Sequence, residues 1–72
     1  DLAAIERNIL RIAVHELVAK LAPVKVIVNE AVELAKIYGS DASPRFIHGV
    51  LGAVTARIAY RGSPTTPAPA SP

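Results

Sequence analysis

The chain has 72 residues, room for one small domain, and its two Tyr and one Phe leave the packing to aliphatic side chains, which bring the hydrophobic share to 51%. It has no Cys, which excludes a disulfide framework and a thiolate metal site and agrees with an intracellular, cytoplasmic protein. Eight Lys/Arg against six Asp/Glu give a net +2, a balance that permits nucleic acid but lacks the charge run of a polybasic tail, and no apolar run approaches the ~20 residues of a membrane span.

The chain begins at Asp1 with no signal-like leader, and the expectation is a fragment with something missing upstream. Asp1 is placed to cap a first helix over 2–21. Leu2, Ile5, Ile9, Leu10, Ile12, Ala13, Val14, Leu17 and Leu21 cover most of its wheel, against a narrow polar strip of Asn8, Arg11 and His15. So broad an apolar arc predicts contact from two sides. Glu6 and Glu16 fall towards the apolar side and break the pattern.

Ala22-Pro23 ends that helix, because proline disfavours helical geometry in the residue before it and suits the first turn of the next. A second helix is predicted over 24–38, with Val24, Ile27, Val28, Ala31, Leu34, Ala35 and Tyr38 on one face. The β-branched run at its start favours a strand locally, but the helical period holds for about four turns. Gly39 is a natural stop. Ser43 as N-cap and Pro44 at the first helical position open a third helix over 44–60, with Phe46, Ile47, Val50, Leu51, Val54 and Ile58 as its buried face. Gly49 and Gly52 each cost this helix roughly 1 kcal/mol against Ala, which predicts close approach of a neighbour. From Arg61 the Pro/Ser/Thr-rich composition predicts a disordered tail, so the domain reading is 1–60 helical and 61–72 tail. The combined apolar surface is too broad for three helices to cover, which predicts a missing partner: an upstream half-domain, another protein or a second copy.

His15 and His48 lie on different helices with no further ligand at metal spacing, and read as surface or boundary histidines. Glu6, Glu16 and Glu30 have the residue type of acid–base pairs, but read better as caps or partners of basic groups. No phosphate-cradling loop is present, since Gly49-Val-Leu-Gly52 lies within a helix and lacks the following Lys. Nothing points to catalysis, a metal or a cofactor. The stretch Ser43-Pro44-Arg45-Phe46 admits two readings. In one, a helix start, a cation and a stacking ring together suit single-stranded RNA. In the other, Phe46 is core and Arg45 a solvated charge.

Three blocks carry a resemblance. Glu6-Arg-Asn-Ile-Leu-Arg-Ile-Ala-Val-His-Glu-Leu17 resembles the E-R-x-I-L-R-x-A-x-x-E-L block of the NusB family. Pro23-Val-Lys-Val-Ile-Val-Asn-Glu-Ala-Val-Glu-Leu-Ala-Lys36 is similar to its P-x-K-V-x-I-N-E-A-V-E-L-A-K block. Gly39 with Ser43-Pro-Arg-Phe-Ile-His-Gly-Val-Leu51 is similar to its G-x-x-x-S-x-x-F-V-N-G-V-L block, with His48 in the place of Asn.

The resemblance implies an all-α fold of two packed sub-bundles, with this chain as the C-terminal one. It implies a bacterial, non-enzymatic transcription antitermination factor that binds boxA-type single-stranded RNA together with the ribosomal protein NusE, without a cofactor. It makes Ser43, Arg45 and Phe46 candidate RNA contacts, and Glu6 and Arg11 candidates for the NusE-facing surface. A second implication is the NusB-like RNA-binding front end of a ribosomal-RNA cytosine methyltransferase, with the Pro-rich tail as a linker. The arginine-rich first helix of the family is absent from these residues.

Overall fold

Local sequence punctuation divides the chain into three helices joined by two four-residue connections. The computed structural model describes residues 1–62 and places α1 over Leu2–Ala19, α2 over Val24–Tyr38 and α3 over Ser43–Gly62. The described residues contain no strand, so the helical period prevails over the β-branched start of α2. Every pair of helices is in contact. Short connections make sequential helices antiparallel, so the start of α3 returns to the start of α1. The expected disordered tail falls largely on residues 63–72, outside the described residues, while α3 extends two residues past its expected end.

The ends of the helices differ from the sequence expectation in instructive ways. Asp1 caps α1 as expected, its carboxylate accepting from Ala3 N–H at 3.2 Å. The helix stops at Ala19, two residues early, because Lys20 turns into the left-handed region at φ 55°. Leu21 N–H then bonds Glu16 O at 3.1 Å and Lys20 N–H bonds Leu17 O at 3.3 Å, which closes the orphan carbonyls in a Schellman arrangement. Pro23 is extended and serves as the N-cap of α2, whose bounds are the expected ones. The reversal must therefore be finished before Ala22, which the following proline keeps out of helical geometry.

The core is one row from each helix: Ile9, Ala13 and Leu17 of α1, Ile27, Ala31 and Ala35 of α2, Ile47 and Leu51 of α3. On α1 and α2 the members are four apart, which is the spacing of neighbours along one helix face. Alanines at three of the eight positions let the helix axes approach closely. The apolar arc of α1 does meet two neighbours, but Ile12 and Val18 stay 54% and 64% exposed. Leu21, Val24, Ile37 and Tyr38 are exposed as well, so three helices leave part of the aliphatic surface uncovered. None of the described helices is long and apolar enough to cross a membrane.

Candidate nucleic-acid interface

The start of α3 is built by the loop Gly39-Ser40-Asp41-Ala42. Gly39 ends α2 in extended backbone, φ −97° and ψ −163°, not in the left-handed region. Its lack of a side chain matters for space: a Cβ there would lie 2.5 Å from both Cβ and Oγ of Ser43 and 2.8 Å from the Ala35 carbonyl. The start of α3 also differs from the expectation: Phe46 N–H bonds Ala42 O at 3.1 Å, and Ser43 is the first helical residue rather than the N-cap. Ser40 Oγ accepts from Ala42 N–H at 3.3 Å, and Ser43 Oγ reaches back to accept from Ser40 N–H at 2.9 Å. These bonds close the turn that leads into α3.

Ser43 is fully buried, and its hydroxyl donates to Glu6 Oε2 of α1 at 2.6 Å. The short length fits a charge-assisted bond to a carboxylate. The pattern break that Glu6 makes on the apolar side of α1 was the sequence signal for this contact, but its partner lies 37 residues away. Ser43 therefore turns inward, away from any surface a ligand would meet.

Arg45 and Phe46 follow on the same turn and are exposed, Phe46 at 47%. The only ion pair among the described residues is Lys36–Glu33 at 3.1 Å, so Arg45 is not neutralised by a carboxylate. No acidic residue occurs in α3. The Ser43 N–H is bonded to Ser40 O at 3.0 Å and Pro44 has none, so at this helix start the guanidinium, rather than those amides, is the available anion partner. Arg11 is exposed on α1, and Glu6 is half-buried against Ser43.

A separate open groove of about 520 Å³ runs between α2 and α3, lined mainly by Val24, Val28, Val32, Gly52 and Thr55, with Lys25, Asn29 and His48 at its polar positions. Arg45 and Phe46 do not line it. His15 and His48 are exposed, and no group of three His, Cys, Asp or Glu converges among the described residues.

The sequence model of the NusB family matches residues 1–56. Curated relatives named transcription antitermination protein NusB include one from an Anaeromyxobacter species, 53% identical over 57 residues, covering 79% of this chain and 40% of the relative. One from Dehalococcoides mccartyi is 51% identical over 60 residues, covering 82% and 42%. One from a Roseiflexus species is 49% identical over 64 residues, covering 85% and 45%. The chain thus spans well under half the length of these relatives. No solved structure matches it significantly. With a family match over most of its length and about half of the aligned residues identical to these relatives, the chain belongs to the NusB family.

Proposed function

We propose that this chain is the RNA-contacting, C-terminal part of a non-enzymatic transcription antitermination factor, acting on boxA-type single-stranded RNA with the ribosomal protein NusE. The carrying observation is the pair Arg45 and Phe46, an unpaired cation beside a half-exposed ring on the first turn of a helix without acidic residues. A guanidinium suits a backbone phosphate and an aromatic face suits an unstacked base. Ser43, buried, backs this pair rather than touching the ligand. Arg11, exposed on α1, is assigned to the NusE-facing surface, and half-buried Glu6 is read instead as the partner of Ser43. The exposed aliphatics of α1 and α2 are read as the faces met by an N-terminal half-domain or a second copy. The relatives named above are antitermination proteins, which favours antitermination over the methyltransferase reading.

The test is RNA affinity of the full-length protein with NusE, measured across a salt series. Arg45→Ala is expected to weaken binding and to flatten the dependence of log affinity on log salt by about one unit, the share of one phosphate contact. An unchanged affinity and slope would remove Arg45 from the interface.

A further inference from the structure

The Glu6–Ser43 contact is the only side-chain hydrogen bond joining two helices among the described residues. The Ser43 hydroxyl has a single proton, which it donates to the Glu6 carboxylate. The Ser43 oxygen then accepts from Ser40 N–H at 2.9 Å, and from the Ser40 hydroxyl at 3.3 Å. Ser40 Oγ in turn accepts from Ala42 N–H. Every bond in the run points towards Glu6, and no buried side-chain polar atom among the described residues is left without a partner.

Gly39 leaves the space in which Ser43 sits, since a Cβ would overlap both Ser43 Cβ and Oγ. One turn further along α3, Ile47 is fully buried in the core. The turn that carries Arg45 and Phe46 is thus pinned at both ends, by Ser43 on Glu6 and by Ile47 in the core. Its two exposed side chains have little packing of their own to orient them. The first turn of a helix beside a loop otherwise opens readily. Holding it in place before binding reduces the ordering cost of the contact.

We infer that Gly39, Ser43 and Glu6 form a latch between α1 and α3 whose role is to present Arg45 and Phe46 to RNA, which makes them positioning residues rather than contacts. The inference rests on the RNA reading of Arg45 and Phe46. It assigns Glu6 by its reach, whereas a place on a partner-facing surface would assign it by its charge. Gln at position 6 keeps an acceptor oxygen at the same length and loses the charge. Asp keeps the charge and falls one methylene short.

The experiment uses the full-length protein with NusE and a fluorescently labelled single-stranded boxA RNA, well below the melting temperature of each variant. Glu6→Gln, in which a neutral bond replaces a charge-assisted one, is expected to bind only about threefold more weakly than the parent, and Glu6→Asp and Ser43→Ala roughly tenfold more weakly. Neither weak variant should change the salt slope, because no phosphate contact is removed. In an Arg45→Ala/Phe46→Ala background, Ser43→Ala should have no further effect, because the latch acts through those two residues. Should Ser43→Ala not fold, the Glu6→Asp and Glu6→Gln pair decides. The latch is overturned if Asp retains binding while Gln loses it, or if Ser43→Ala costs as much in the doubly substituted background. It is also overturned if Ser43→Ala binds like the parent while Arg45→Ala/Phe46→Ala does not, and the RNA reading then survives. If Arg45→Ala/Phe46→Ala binds like the parent, the RNA reading falls and takes the latch with it.

Discussion

At the scale of single residues, Gly39 and Lys20 show opposite uses of glycine. Gly39 needs no special backbone angle, yet any side chain there meets Ser43 and the Ala35 carbonyl at under 3 Å. Gly39→Ala is expected to destabilise the protein by about 1–3 kcal/mol through overpacking, read from a denaturant melt. Lys20 sits at φ 55°, where glycine is the usual residue and a Cβ costs roughly 1 kcal/mol. Lys20→Gly is therefore expected to raise stability by about 0.5–1 kcal/mol, and a lower melting temperature would contradict the Schellman reading of this turn. Gly39 read as a stop, and α2 does end there, but the need for space beside Ser43 was not legible, and Lys20 carries no signal for a left-handed turn. The turn is set by Pro23, three residues on, which keeps Ala22 from continuing the helix.

At the scale of the element, α3 combines a buried row with an outer face of Gly49, Gly52, Ala53 and Ala56, all exposed. The expectation that Gly49 and Gly52 admit a close neighbour is not met among the described residues, since a Cβ at either position would have nothing within 4 Å. Helix propensity then governs both sites. Gly49→Ala and Gly52→Ala are each expected to stabilise the isolated chain by up to about 1 kcal/mol, measured by thermal unfolding. A loss instead of a gain would mean that the open space is filled by a second copy in solution. The buried face was partly legible: Ile47 and Leu51 are fully buried and Val50, Val54 and Ile58 half-buried, as their spacing implies. Phe46 fell on the same arc of the wheel but lies on the first turn and remains half-exposed.

At the scale of the whole molecule, eight aliphatic residues make the core among the described residues, and Tyr38 and Phe46 stay outside it. A domain of this length has a stability of only several kcal/mol. Leu51→Ala, at a position with no exposure, is expected to cost about 2–5 kcal/mol and to leave the isolated chain largely unfolded, seen as lost helical circular dichroism. Large aliphatics that stay more than half exposed, among them Ile12, Val18, Leu21 and Ile37, are surface that three short helices cannot enclose. That shortage was visible in the breadth of the apolar arcs before any coordinates, and it agrees with a chain that spans less than half the length of its NusB relatives.

The number of helices, their approximate bounds and the family follow from the sequence by itself, because helical period, proline breaks and block spacing are local properties that neighbouring residues express alone. The destination of the Ser43 hydroxyl, the reason for Gly39 and the outward aspect of Arg45 and Phe46 belong to the tertiary structure. They depend on which residue of α1 stands opposite the start of α3, and packing of the three helices sets that pairing across 37 positions of chain.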